Sequence, residues 1–268
     1  MPTNTLLDIG NIEQCEAAWG VPPRWFIDIA EAEFAFGDRE EFEGVIDNIH
    51  HDDCIQFMSR MPDKCVDMVL TDIPYNEVNY QSGGLRVLDK GRADRLSFDL
   101  TVFVNALKRI TKQSIYVFCG IQQISRIYTQ LRTDMSVRLC HWQKSNPSPM
   151  NGNRLWLSAT ENCVFGKYSR GTFTQHCLPN VWRVPRGDSK LHPTQKPLEL
   201  FKLLVEASTT PGDLVFDPCI GSGTTARACV TTGRRFIGVD NDRRSVDVAR
   251  QLVRSERRYY GETQAQRR

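Results

Sequence analysis

No stretch of this chain is apolar for long enough to span a bilayer, and its first residues, Met1-Pro2-Thr3-Asn4-Thr5-Leu6-Leu7-Asp8, lack the basic region and apolar run of a secretory leader. Both absences argue against a membrane-embedded role and lead us to expect a cytoplasmic protein. Paired cysteine motifs are missing as well. The nine cysteines are scattered without a C-x-x-C, and several fall inside apolar strand-like runs. Such spacing argues against a disulfide frame or a zinc site and for reduced, mostly buried thiols. His50 and His51 are adjacent, so on a strand they face opposite ways and cannot share a metal. No metal is expected. The sequence shows neither an internal repeat nor a low-complexity segment.

Basic side chains are nearly missing from residues 1–53, which carry two of them against 13 acidic ones. The remaining chain holds 32 basic and 19 acidic residues, so a net charge of +2 conceals a body of +13 behind an acidic start of −11. A basic body suits a polyanionic partner, and a solvated surface with an acidic tail folded over it would give the same count. With 268 residues and 40% hydrophobic content, the chain can build one large α/β domain plus an appendage. We place the appendage at residues 1–43, where Trp19, Trp25, Phe26, Phe34 and Phe36 supply anchors, and the domain at residues 44–268.

The domain turns on Leu214 to Thr225. Leu214-Val215-Phe216 reads as a buried strand, Gly221 and Gly223 as a tight turn, and Thr224 to Thr232 as a helix closed by Gly233. Glycines let backbone approach a ligand closely, and the helix start offers free N–H groups and a positive dipole end. The next strand, Phe236 to Val239, ends in Asp240, the place for an acid that holds a ribose. This is a nucleoside-cofactor half-site. Gly221-Ser222-Gly223-Thr224-Thr225-Ala226 also fits the dinucleotide fingerprint, and Asp217 alone can be read as a helix or turn cap, though the stretch as a whole favours a cofactor.

Upstream, Val45 to Ile49 and Val66 to Leu70 read as strands, with Cys54 to Arg60 as a helix between them. Asp72 then stands at the carboxyl end of a strand, where open α/β sheets place ligands. The polar stretch 76–99 has the character of a mobile loop. Ser114 to Cys119 is a further strand. Val137 to Gln143 and Ala159 to Phe165 are strands joined without a helix, hence an antiparallel edge hairpin on a mostly parallel, Rossmann-like doubly wound sheet. Residues 167–190 read as irregular.

Three ordered motifs now stand together: Asp72-Ile73-Pro74-Tyr75, His192-Pro193-Thr194-Gln195-Lys196-Pro197, and Phe216-Asp217-Pro218-Cys219-Ile220-Gly221-Ser222-Gly223. With Trp142, Lys144, Asn146, Pro147, Pro149, Arg154 and Glu161 around the hairpin, the chain resembles amino-group DNA methyltransferases that use S-adenosylmethionine, from about Gly44 to Leu252. Catalytic motif first and cofactor loop last is the order of the permuted beta subgroup. The resemblance implies a bacterial, archaeal or phage-encoded enzyme acting on double-stranded DNA. It leaves room for a homodimer and for a restriction endonuclease partner.

The chemistry suits these residue types. An exocyclic amine has its lone pair delocalised into the base, so it must be held in line with an activated methyl. The resemblance implies that Asp72 accepts one amine hydrogen and the Ile73 carbonyl a second, with Pro74 shaping the corner and Tyr75 stacking on a flipped base. It further implies that Asp217, Pro218, Cys219, Gly221, Gly223 and Thr224 surround the methionine part of the cofactor beside Asp72. Asp240 would hold the ribose and Asp53 lie near the adenine, while Thr194 and Lys196 reach the methionine carboxylate. Ile73 departs from the family's usual proline; because a backbone carbonyl does the work there, we expect Ile73→Pro to keep or raise activity.

Adenine is favoured over cytosine because the motif begins with Asp, by family habit. The recognition segment, 167–190, is short, so we expect a short or relaxed target sequence, read with help from the 76–99 loop or a second subunit. The competing readings are a cytosine-amine enzyme, an RNA or protein methyltransferase, a nicotinamide dehydrogenase that would leave two motifs unexplained, and a DNA-binding relic without catalysis.

Overall fold

The computed structural model describes residues 36, 39–75, 96–149, 152–186 and 196–266, with residue 39 and residues 261–266 as backbone only. Most of the acidic extension, residues 76–95, residues 187–190 and the segment 191–195 with Thr194 lie outside the described residues. Phe36, the one described anchor of the extension, packs edge-on against Phe42 and Phe57 at ring distances of 6.0 and 5.6 Å.

Among the described residues, eight strands form one sheet in the order β1-β8-β7-β2-β3-β5-β4-β6. They are β1 (Asn48–His51), β2 (Val66–Asp72), β3 (Thr111–Cys119), β4 (Ser136–Lys144), β5 (Thr160–Lys167), β6 (Val181–Val184), β7 (Leu214–Asp217) and β8 (Arg235–Asp240). Only β5 runs against its neighbours; every other pairing is parallel. Strands as apolar as Val69-Leu70 and Val215-Phe216 need cover on both faces, and helices supply it. Helices α1 (Arg39–Val45), α2 (Cys54–Arg60), α3 (Leu100–Ile110) and α4 (Ile124–Leu131) contribute to the core on one face, built on Phe57, Phe103, Leu107 and Ile127. On the other face, α5 (Leu198–Ser208), α6 (Thr224–Thr232) and α7 (Arg243–Gln266) pack Phe201, Leu204, Ala226 and Val246 onto the sheet. The fold is a doubly wound α/β sheet, as expected.

Three local readings change. Val45 closes helix α1 instead of opening a strand, because Asp47 turns the chain at φ 60° and its carboxylate accepts from Phe236 N–H at 3.2 Å, delaying the strand to Asn48. The expected hairpin exists as β4 and β5, but it is not the sheet's edge: β6, from the segment read as irregular, adds outside β4. Four residues are too few to announce a strand, and β6 is held partly by a side chain, the Trp142 indole donating to the Val184 carbonyl at 2.7 Å. Arg254, Arg257 and Arg258 belong to helix α7. Among the described residues, no helix is long and apolar enough to cross a membrane.

Candidate active site

Strands β2 and β7 lie side by side and parallel, with Met68 opposite Val215 and Val69 opposite Phe216. Asp72 and Asp217 therefore end neighbouring strands at the same rim. The crossover from β2 leads to β3 on one side, and that from β7 leads to β8 on the other. Connections that part in opposite directions leave a crevice between the two strand ends, where open α/β sheets bind ligands. The aspartate-tyrosine corner and the glycine elbow thus open onto one rim.

At the corner, Asp72 is surrounded by groups from three distant parts of the chain. Its Oδ2 accepts from the Lys196 ammonium, and its Oδ1 lies 2.9 Å from the Tyr75 hydroxyl. That hydroxyl is also 3.1 Å from Glu161 Oε2 and accepts from Lys196 Nζ at 3.1 Å. Lys196 pairs with Glu161 at 3.0 Å, and Lys144 with the other Glu161 oxygen at 2.8 Å. The result is two carboxylates and two ammoniums around one phenol. Glu161 reaches this rim because β5 runs backwards: an antiparallel strand begins where its parallel neighbours end. Below the corner, the buried Gln123 amide donates to the Pro74 carbonyl and accepts from Gly120 N–H, both at 2.8 Å, fixing the turn.

Burial raises the pKa of Asp72, and the Lys196 ammonium only partly opposes it. Burial works against the charge on Lys196 too, but Asp72 and Glu161 outweigh it and hold the ammonium above the ordinary lysine value. For Glu161 the burial penalty loses to Lys196 and Lys144, and the carboxyl falls to about 2. Tyr75 is pushed well up by burial and by both carboxylates, so its proton stays on. The corner is an electrically balanced cluster whose carboxylate stays available to a neutral hydrogen-bond donor.

Ile73 is 2% exposed and packs into the core, and its N–H donates to the Phe118 carbonyl at 3.2 Å, extending the β2–β3 ladder by one residue. Proline has no N–H to give and would leave that carbonyl and an apolar pocket unfilled. The expectation that Ile73→Pro keeps or raises activity is reversed on these grounds. Lys196 also differs from its expected place: it is spent on Asp72 and Glu161, not directed at a methionine carboxylate.

Among the described residues, the elbow is built without ammonium groups. Asp217 is buried and turned inward, Oδ1 accepting from Cys219 N–H at 3.1 Å and Oδ2 from the Thr225 hydroxyl at 2.5 Å. Burial pushes its carboxyl up to about 7. Gly223 caps α6 in the left-handed region at φ 84°, and a Cβ there would sit 3.0 Å from the Ala249 Cβ. Gly221 is different: at φ 50° the space its Cβ would occupy is open among the described residues, the nearest neighbour being the Cys219 carbonyl oxygen at 4.0 Å. Open space at a glycine beside a helix start is a cradle for a ligand. Pro218 and Thr224 are buried beside it and Cys219 half-buried.

Asp240 ends β8 next door. Each of its oxygens accepts one backbone N–H at 2.9 Å, Oδ2 from Gly221 and Oδ1 from Asp242, which leaves a lone pair on each for a diol. Burial raises its pKa. Asp53 stands at the same rim but is committed through Oδ1 to capping α2, accepting from Ile55 and Gln56 N–H at 2.9 and 3.0 Å. An open cradle, a helix start and a diol-binding carboxylate are the features an adenosyl amino acid requires, so the residues present fit that cofactor.

The roles of Glu161, Lys144 and Gln123 were not legible as site residues. Lys144 and Glu161 carried only a resemblance, and Gln123 carried no signal at all. The thiols behave as expected: burial pushes Cys119 and Cys140 up to about 12, while Cys177 is exposed.

Residues 154–251 match a family described as DNA methylase. The chain is 29% identical over 239 residues, 77% of its length, to the type II methyltransferase M2.DpnII of Streptococcus pneumoniae, covering 89% of that protein. It is 25% identical over 244 residues to the type II methyltransferase M2.MboI of Moraxella bovis, covering 80% of this chain and 87% of that one. The crystal structure of an M1.HpyAVI–SAM complex superposes with a TM-score of 0.60 at 25% identity, over 76% of this chain and 98% of the other.

Proposed function

We propose that this chain is an amino-group DNA methyltransferase that uses S-adenosylmethionine and methylates N6 of adenine in double-stranded DNA, at a short sequence, after flipping the base out. The observation that carries this reading is the meeting of the Asp72–Tyr75 corner and the Gly221–Gly223 elbow at neighbouring strand ends.

S-adenosylmethionine supplies, when bound, a sulfonium-activated methyl group. Gly221, Gly223, Thr224, Pro218 and Cys219 would line its methionine part, with Asp217 holding the elbow's shape from below. Asp240 would take the ribose hydroxyls, Asp53 would stand near the adenine, and Thr194 near the methionine carboxylate. Asp72 Oδ1 accepts an amine hydrogen in place of the Tyr75 hydroxyl, and the Ile73 carbonyl accepts the other, drawing the nitrogen lone pair out of the ring. Released from Asp72, the Tyr75 ring stacks on the base. The proton lost by the nitrogen goes to Asp72, whose raised pKa suits it to receive one. We assign Lys196 the role of fixing Asp72 and Glu161 in place, not that of a carboxylate ligand.

Residues 167–190 and the 76–99 loop are the proposed reading elements, and a homodimer, a restriction endonuclease partner and a cytoplasmic setting belong to the same proposal. Incubation of mixed-sequence DNA, RNA and protein with labelled cofactor, followed by mapping of modified bases, tests it. The expected product is N6-methyladenine in duplex DNA within a short motif. Label in cytosine, in RNA or in protein, or cofactor binding without any product, would overturn it.

A further inference from the structure

The β4–β5 loop carries a feature the methyl-transfer chemistry leaves unused. Leu155 is 70% exposed, Trp156 fully exposed and Leu157 40% exposed, a run of apolar side chains standing in water. The loop's base is rigid: Lys144 N–H donates to the Ala159 carbonyl at 2.7 Å, Ala159 N–H to Leu157 at 2.8 Å, and Lys144 itself pairs with Glu161. Trp156 is five residues from Glu161, so it lies within about 17 Å of the corner, the scale of a DNA groove about 12 Å wide. The loop, and the strand β6 tied to its start, carry one sign. Residues 143–160 and 181–186 contain no acidic side chain, while Arg154, Arg183 and Arg186 are exposed. The Arg186 guanidinium donates to the Asn146 carbonyl at 3.0 Å, and its N–H to the Asn146 side chain at 2.6 Å, tying the loop's start to the end of β6.

Exposed apolar surface on a loop that carries cations and is rooted beside the corner of a DNA-modifying site fits one occupant. We propose that this loop is the wedge that opens the duplex: Trp156 enters the base stack where the target nucleotide leaves it and stacks on the bases left behind. Leu155 and Leu157 flank the opening, and Arg154, Arg183 and Arg186 meet the phosphates. Flipping leaves a hole whose neighbours have lost their stacking, and an indole fills it with a large flat face. The inference rests on the reading of the chain as a DNA methyltransferase.

The test compares wild type, Trp156→Ala and Trp156→Phe on two duplexes carrying the mapped site, one with the target adenine paired and one with it opposite an abasic position. We expect Trp156→Ala to lower methylation of the paired duplex by about tenfold or more, and the abasic partner to restore it to within about twofold of wild type, because an unpaired base needs no wedge. Trp156→Phe should fall between. Equal rates on the paired duplex, or equal loss on both substrates, would overturn the proposal. So would loss on both accompanied by a change from dimer to monomer in sedimentation, which would give the patch to a second copy. A separate readout does not depend on catalysis: the emission difference between wild type and Trp156→Phe should be quenched by duplex. Quenching without methyl transfer would sink the enzymatic reading and keep the wedge, and unquenched emission would sink the wedge alone.

Discussion

The corner around Asp72 and the elbow around Asp217 sit on adjacent strands and solve the problem of a buried carboxylate in opposite ways. At the corner, Asp72 and Glu161 face Lys196 and Lys144, and charge cancels charge. At the elbow, Asp217 and Asp240 accept only from N–H and hydroxyl groups, and no ion pair reaches either among the described residues. A pocket already neutral is suited to a neutral guest, and one with uncompensated acids to a cation. The contrast matches the two reactants, a base amine and a cofactor carrying sulfonium and ammonium charge.

The hardest blow to this contrast is Asp72→Asn. Initial rates with labelled cofactor should fall by about a thousandfold, while cofactor binding by calorimetry changes little; full turnover would remove Asp72 from the chemistry. Gly223→Ala should do the reverse, abolishing measurable cofactor binding and lowering the melting free energy by about 2 kcal/mol, since a side chain at φ 84° meets Ala249. Unchanged cofactor affinity would show that the elbow tolerates what its geometry forbids. Ile73→Pro should cost about 1–3 kcal/mol in denaturant titration and slow methylation with it, through the lost bond to Phe118. A faster enzyme would vindicate the proline expectation instead.

The pH dependence separates the two regions most finely. Asp217, pushed up to about 7, holds a proton in the folded chain that the unfolded chain has released from about pH 4 upward. Its folded pKa is the higher one, so stability falls as pH rises through that window. A bound cation favours the carboxylate, so cofactor Kd should tighten by about threefold or more from pH 6 to pH 8, and Asp217→Asn should flatten the slope. Glu161, held down to about 2, behaves oppositely: its contribution is complete above the ordinary glutamate range and lost as pH falls through about 2. Lys144→Met should move that acid limb upward by about one pH unit in melting curves.

Strand ends and glycine turns were readable because buried strands are short apolar runs and the residues that break them are few. Asp72, Gly221 and Asp240 were placed at strand ends and a turn that way, and Tyr75 came with the motif. What escaped depends on contacts between distant parts of the chain. Nothing near Lys196 in sequence says that its ammonium will lie beside Asp72, and Glu161 becomes a site residue only once β5 is known to run backwards. Ile73 looked like a tolerated departure because its N–H bond to Phe118 is invisible until β2 and β3 are in register. Four-residue β6 was hidden by its length.

The reversed strand has one more consequence. Because β4 finishes and β5 starts at the same rim, the loop between them departs from and returns to the catalytic edge without crossing the sheet. Side chains between its two roots can be changed without moving Lys144 and Glu161, which stay paired across them. Such an arrangement would let an engineer exchange the loop as a cassette while the paired side chains at its roots keep their places.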